Sequence, residues 1–316
     1  MKIFITREIP STGIELLKQN GFEVFVYKKD KPISKNELIK SVQNCDGLLT
    51  LLSDKIDKEV IDQMKNCNVI ANYAVGFNNI DVDYAKSKGI VVTNTPDVLT
   101  DSTADLTMAL VLACARKISE SEKLVRDKKF VGWKPKLLLG MELKNKYFGI
   151  LGAGRIGTAV AKRAQAFGCK IIYYSKSKNN FLENELKAKK LSLNSILKKS
   201  DILSIHLPLN SKTKFLLNEQ NLILLKKSAI LINTARGEIV DEKFLLSMLK
   251  LNKIASAGFD VYENEPFLKP EFYKLKNIVL LPHIGSATTE ARNNMSLLAA
   301  KNIVAILSGK RAITPV

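Results

Sequence analysis

Apolar residues along the chain fall into short continuous runs, each followed by a stretch in which they recur every three or four positions. The runs have the character of buried strands and the stretches that of amphipathic helices. Their regular alternation predicts parallel α/β architecture. Strands are expected at Lys2–Thr6, Phe22–Tyr27, Gly47–Leu52, Val69–Asn72 and Ile90–Thr93. A second series is expected at Phe148–Leu151, Lys170–Tyr174, Ile202–Leu207, Ala229–Asn233, Ala255–Val261 and Ile278–Leu281. Between the two series, Ser102 to about Lys128 reads as one long helix, opened by Ser102 with Asp105 three residues later in a near capping-box arrangement. A last helix is expected from about Ser286 to Leu307. It stops at Gly309, a residue suited to the left-handed C-terminal position.

Five strands before the long helix and six after it predict two α/β domains, which agrees with a soft prior of about 150 residues per domain for 316 residues. The last helix is free to return to the first domain, which would make that domain discontinuous. Periodicity leaves this open.

Composition narrows the class. With 46% apolar and 25% charged residues the chain is an ordinary globular mixture, neither disordered nor collagen-like. The longest uncharged apolar run, Leu106 to Ala115, is ten residues, about half of what a bilayer span requires, and the N-terminus has no hydrophobic stretch of signal-peptide length. Cys45, Cys67, Cys114 and Cys169 lie at least 22 residues apart, without zinc-ligand or redox spacing. No metal site and no membrane partner are expected, and reduced thiols point to the cytoplasm. The net charge of +18 invites a nucleic-acid reading, but 41 of the 49 basic residues are lysines spread along the chain and only 8 are arginines, the better base readers. A solvated lysine-rich surface is the plainer reading, with no nucleic-acid partner. Its field would still attract a small anionic substrate.

Chemistry enters at Gly152–Ala153–Gly154–Arg155–Ile156–Gly157, which matches G-x-G-x-x-G directly after an expected strand. Ile156, Val160, Ala164 and Phe167 then recur at helical spacing, Gly168 ends the helix and another strand follows. Gly152 allows the tight turn, Gly154 lets the backbone approach a pyrophosphate, and Gly157 lets helix pack on strand. The helix N-terminus adds N–H donors and a positive dipole end. A dinucleotide-binding unit follows. NAD-specific units usually carry an acid at the end of the second strand. Here Ser175 and Lys176 stand in that region and the first acid is Glu183, so NADP(H) is favoured over NAD(H), with an ordinary polar turn as the alternative.

There are only two histidines, His206 and His283, each at the carboxyl end of an expected strand. Either one alone could be a structural imidazole. Two more segments end strands with polar side chains, Asn233–Gly237 with Arg236 after Ala229–Ile232, and Phe259–Pro266 with Asp260, Glu263 and Glu265 after Ala255–Gly258. An arginine, a carboxylate and an imidazole beside a dinucleotide are what reduction of a 2-oxo acid needs. The guanidinium grips the substrate carboxylate, the imidazolium protonates the developing alkoxide, and the carboxylate orients the ring.

With these residues in view, the chain resembles the D-isomer-specific 2-hydroxyacid dehydrogenase family over essentially its whole length. The resemblance rests on the glycine motif and on three further segments: Leu231–Gly237, Asp260–Pro266 and Pro282–Thr288. It implies two doubly wound parallel-sheet (Rossmann-like) domains with the active site in the cleft between them. A discontinuous flavodoxin-like substrate domain would hold residues 1–98 plus 284–316, and a dinucleotide-binding Rossmann domain residues 99–283. It implies a catalytic triad of Arg236, Glu265 and His283, with Val75 and Gly76 binding the substrate carboxylate through backbone N–H groups together with Arg236. Gly152, Gly154, Arg155, Ile156, Gly157, Ser175, Lys176, His206, Pro208, Thr234, Ala235, Asp260, His283 and Gly285 would line the cofactor. Segments Val98–Asp105, Gly132–Pro135 and Tyr173–Lys176 are most similar to the glyoxylate/hydroxypyruvate reductase branch. That branch implies a homodimer in which an aromatic such as Trp133 closes the neighbouring subunit's site. The expected activity is reduction of glyoxylate or hydroxypyruvate by NADPH with His283 as proton donor. Phosphoglycerate or D-lactate-type dehydrogenation, or a non-catalytic dinucleotide-sensing module, are the alternatives.

Overall fold

The computed structural model describes residues 1–316 and divides into two compact units, one of Met1–Leu99 and Ser286–Val316, the other of Thr100–Gly285. In the first unit the strands are β1 (Lys2–Ile5), β2 (Glu23–Val26), β3 (Gly47–Thr50), β4 (Val69–Asn72) and β5 (Val91–Thr93). All pair in parallel in the order β2-β1-β3-β4-β5. The burial of each strand follows its place in the sheet. β3 and β4 lie inside the sheet and are buried at every position, whereas β2 lies at the edge and alternates exposed with half-buried residues. The helix Thr289–Leu307 belongs to this unit although it closes the chain. It packs on the helix Ser11–Gln19 at Gly13, where a Cβ would stand 2.3 Å from the Ser296 carbonyl oxygen, so only glycine permits the approach. Ser296 completes the contact by accepting from Gly13 N–H at 3.1 Å and donating to the Pro10 carbonyl at 2.7 Å.

The second unit is built on seven parallel strands: β6 (Tyr147–Leu151), β7 (Lys170–Tyr174), β8 (Lys189–Lys190), β9 (Ile202–Ile205), β10 (Ile230–Asn233), β11 (Ser256–Phe259) and β12 (Ile278–Leu280). Their order is β12-β11-β10-β9-β6-β7-β8, which reverses direction between β6 and β9. Two apolar cores form in this unit, one containing Leu151, Leu203, Leu231 and Phe259, the other Phe148, Ile150, Ile202 and Ile232. Crevices outside the carboxyl ends of the strands, at such a reversal, are where open α/β sheets bind ligands.

Several elements differ from the sequence expectation. The long helix is two helices, Thr100–Arg116 and Ile118–Arg126, broken at Lys117, whose φ of 52° is left-handed. At the break the Ala115 carbonyl, left without a helical partner, accepts from Met141 N–H at 2.8 Å. The helix also begins before Ser102, so Ser102 is not its cap. Asp105 pairs instead with Arg163 at 2.6 Å, and the same guanidinium reaches Asp101 at 3.0 Å. The last helix starts later than Ser286, because Thr288 caps it by accepting from Ala291 N–H at 3.1 Å. Phe167 continues the apolar spacing of its helix yet is 46% exposed, because it lies just past the helix end. Finally, β8 consists of two lysines, and its pairing with β7 rather than any apolar pattern makes it a strand.

Candidate active site

The glycine turn follows β6 and opens the helix Arg155–Ala166. Gly152 has φ +101°, and a Cβ there would stand 2.6 Å from the His206 carbonyl oxygen, so the loops after β6 and β9 touch backbone to backbone. A Cβ at Gly157 would stand 2.1 Å from the Gly152 carbonyl oxygen. Gly154 differs, because no atom lies within 4 Å of where its Cβ would be, and it caps the helix without a side chain. Open space at a helix N-terminus, flanked by exposed Arg155 and half-buried Ile156, fits a dinucleotide pyrophosphate. A residue that motif reading missed completes the cradle. Asn179 donates from Nδ2 to the Ala153 carbonyl and to Thr158 Oγ1, both at 2.9 Å, and so ties the turn after β7 to the glycine turn.

Ser175 is half-buried and Lys176 exposed at the end of β7, where Lys190 Nζ donates to the Lys176 carbonyl at 3.2 Å. The first acid beyond the strand, Glu183, accepts from the Tyr173 hydroxyl at 2.7 Å. His206 is half-buried after β9, and its Nε2 lies 2.8 Å from Ser204 Oγ. Burial pushes this imidazole down to about 3, so it is neutral across the physiological range. Pro208, exposed two residues on, accepts at its carbonyl from Thr213 Oγ1 at 2.6 Å.

Strands β10, β11 and β12 are neighbours, with Asn233 opposite Phe259 and Phe259 opposite Leu280, so the segments leaving their carboxyl ends start side by side. After β10, Asn233 shapes the turn by accepting from Ala235 N–H at 3.0 Å and donating to the Arg236 carbonyl at 2.8 Å. Thr234 Oγ1 lies 2.9 Å from Thr107 Oγ1. Burial lowers the Arg236 pKa, and the charges of Glu265 and Glu238 oppose that shift. After β11, Glu265 accepts from Tyr262 N–H at 2.9 Å through Oε1, while its Oε2 lies 2.7 Å from His283 Nδ1. His283 has φ +56°, a left-handed conformation. Asp260 stabilises the turn that follows by accepting from Ile284 N–H and Gly285 N–H, both at 2.8 Å. Burial raises the pKa of this carboxyl, and the two backbone donors and His283 act against that rise. Thr103 Oγ1 also donates to the Gly285 carbonyl, at 3.2 Å.

Val75 and Gly76 belong to the first unit, in the loop after β4. The Ala74 carbonyl accepts from Thr95 N–H at 2.9 Å and the Val75 carbonyl from Asn94 Nδ2 at 2.8 Å. In a planar trans peptide the N–H points opposite the carbonyl. The Val75 and Gly76 N–H groups therefore point away from these donors, an arrangement able to bind an anion. Asn72, whose Nδ2 donates to the Gly76 carbonyl at 2.8 Å, finishes the framework. Neither Asn72 nor Asn94 stood out in the sequence, since a buried amide leaves no periodic signal.

Comparison with known proteins identifies the family. The family model for the NAD binding domain of D-isomer specific 2-hydroxyacid dehydrogenases matches residues 108–285. A glyoxylate reductase of Thermococcus kodakarensis is 48% identical over 313 residues, 98% of this chain and 94% of that protein. Among solved structures, the TT0316 protein of Thermus thermophilus matches with TM-score 0.94 at 41% identity, covering all of both chains. An NADPH-dependent glyoxylate/hydroxypyruvate reductase of Sinorhizobium meliloti, solved with NADP and malonate, matches with TM-score 0.87 at 32% identity, covering all of this chain and 96% of that one. A glycine turn and the Glu265–His283 pair beyond the carboxyl ends of strands in one sheet, together with this similarity along nearly its whole length, make the chain a member of the D-isomer specific 2-hydroxyacid dehydrogenase family, the enzymes that act on 2-hydroxy acids with a nicotinamide dinucleotide.

Proposed function

We propose that this protein reduces glyoxylate or hydroxypyruvate to the 2-hydroxy acid, with NADPH as the hydride source and His283 as the proton donor. The observation that carries the reading is the 2.7 Å contact of Glu265 Oε2 with His283 Nδ1, with Glu265 following a strand adjacent to the one that Arg236 follows. When bound, the reduced dinucleotide supplies a hydride to the 2-oxo carbon. Arg236 grips the carboxylate of the acid and polarises the neighbouring carbonyl. Glu265 holds Nδ1, which orients the ring, favours its protonated form and leaves Nε2 to deliver a proton to the carbonyl oxygen. Hydride and proton together complete the two-electron reduction. Val75 and Gly76 offer their N–H groups to a carboxylate in the loop after β4.

Preference for NADPH rests on the turn after β7. Ser175 and Lys176 offer a hydroxyl and a cation to a 2′-phosphate, and the first carboxylate beyond the strand, Glu183, is engaged by Tyr173. Relatives named glyoxylate reductase, and one named NADPH-dependent, support the substrate and the cofactor. The segment carrying exposed Ile118, Val125, Phe130, Val131, Leu139 and Trp133, the last 84% exposed, is proposed to pair two subunits. The four free cysteines are buried and suit a reducing cytoplasm.

The test is the decay of NADPH absorbance with glyoxylate, hydroxypyruvate, pyruvate and 3-phosphohydroxypyruvate, repeated with NADH. Fastest turnover on glyoxylate or hydroxypyruvate with NADPH is expected. A preference above about 100-fold for NADH, about 2.7 kcal/mol, would overturn the assignment of Ser175 and Lys176. Tight dinucleotide binding without turnover of any 2-oxo acid would mark a sensing module instead. Light scattering reads the subunit number, with a dimer expected.

A further inference from the structure

The segment carrying Glu265 runs from Glu263 to Lys269 and exposes Asn264, Pro266 and Phe267 to solvent. Such a segment has little apolar burial of its own, so its geometry depends on its anchors. Both of its ends meet at one side chain. Glu242, the first residue of the helix Glu242–Lys250, is only 2% exposed. Its Oε1 accepts from Glu263 N–H at 2.7 Å and its Oε2 from Lys269 Nζ at 2.8 Å, while Lys269 also pairs with the Glu263 carboxylate. Burial works against the Lys269 charge, yet the two carboxylates raise its pKa overall.

The same helix lies a few residues beyond Arg236. At Gly237 the backbone of that connection packs directly on the Glu265 segment, where a Cβ would stand 1.9 Å from the Tyr262 carbonyl carbon. A buried carboxylate is tolerated only when its acceptor sites are used, and here Glu263 N–H and Lys269 Nζ, both on the Glu265 segment, take one oxygen of Glu242 each. We infer that Glu242 and Lys269 are positioning residues that clamp the two ends of the Glu263–Lys269 segment and thereby hold Glu265 against His283. The inference rests on the reading of Glu265 and His283 given above and extends it to two residues that act through the Glu265 segment.

Misplacement of an orienting group by a fraction of an ångström to an ångström lowers turnover more than binding. Lys269→Met and Glu242→Gln are therefore expected to lower kcat about tenfold, with KM for glyoxylate and the NADPH dissociation constant nearly unchanged. Lys269→Arg, which keeps the charge, is expected to restore most of kcat. A double-mutant cycle separates positioning from general support of the fold. In a Glu265→Gln background, Lys269→Met should cost no further kcat, because the group it positions is gone. A full additional loss in that background, or unchanged kcat in Lys269→Met alone, overturns the clamp while leaving Glu265 its role. Wild-type kcat in Glu265→Gln alone removes the role of the pair, and the clamp with it.

Discussion

Glu265 Oε2 lies 2.7 Å from His283 Nδ1, across 18 residues of sequence and between segments that leave adjacent parallel strands. The contact depends on backbone that is itself held in place. His283 takes a left-handed φ of 56°, and Asp260 accepts from the two N–H groups that follow it. An imidazole fixed at one nitrogen by a carboxylate is oriented at the other, which is the requirement for directed proton transfer.

The two histidines should therefore respond in opposite ways to the same change. His283→Gln is expected to lower kcat by about 100-fold or more while the NADPH dissociation constant, read by fluorescence titration, stays within about twofold. His206→Gln should retain turnover of the same order as the parent. Loss of turnover in His206→Gln with activity preserved in His283→Gln would reverse the assignment.

Arg236→Lys keeps a positive charge but loses the planar double contact with a carboxylate. A fall in kcat/KM of about 10- to 100-fold is expected, with much of it in KM for the 2-oxo acid. Steady-state kinetics that leave both constants unchanged would show that the guanidinium grips nothing in the reaction.

Three glycines of one motif should separate stability from binding. Gly154→Ala adds a methyl to open space at an ordinary negative φ, so its Tm should match the parent while dinucleotide affinity falls. Gly157→Ala would push a methyl to 2.1 Å from the Gly152 carbonyl oxygen, and Gly152→Ala adds a strained φ of +101° to a 2.6 Å approach. Both should lower Tm by several degrees, or about 2 kcal/mol or more. Equal Tm values for all three variants would contradict this division.

His206 also makes stability depend on pH. Its folded pKa of about 3 lies below the ordinary 6.5, so between those values the unfolded chain binds a proton that the folded chain does not. Stability is unaffected above about pH 6.5 and declines as the pH falls through the window toward 3. Thermal midpoints at pH 7.5 and pH 4.5 should show His206→Gln gaining on the parent at the lower pH. A difference independent of pH would rule out this contribution.

Burial pushes the Cys114 thiol up to about 12 and the Cys169 thiol up to about 11, and contact with the Cys67 thiol raises the Cys45 thiol. All four cysteines are buried. Aromatic disulfide reagents at pH 8 should label the native protein very slowly and all four thiols at once in denaturant. Rapid labelling of the native protein would show that one of these sites opens readily.

The local features of this protein are written in the order of its residues. Strand and helix follow from the two periods of apolar spacing, and the glycine turn from its position between a buried strand and a helix, because each depends on neighbours in the chain. Arg236, Glu265 and His283 all follow apolar runs, but so do His206 and Glu263, and it is resemblance to the family that separates the three from these neighbours. Other features are contacts across long separations and leave no local pattern. The carbonyl left open at the Lys117 break is taken by Met141, and Thr103 reaches the Gly285 carbonyl over 182 residues. The Val75–Gly76 loop is shaped by the amides of Asn72 and Asn94, and the Glu265 segment by the buried carboxylate of Glu242. A hydrogen bond between distant residues needs only a donor, an acceptor and the right folded distance. Residue types supply the first two, and only the packed chain supplies the third.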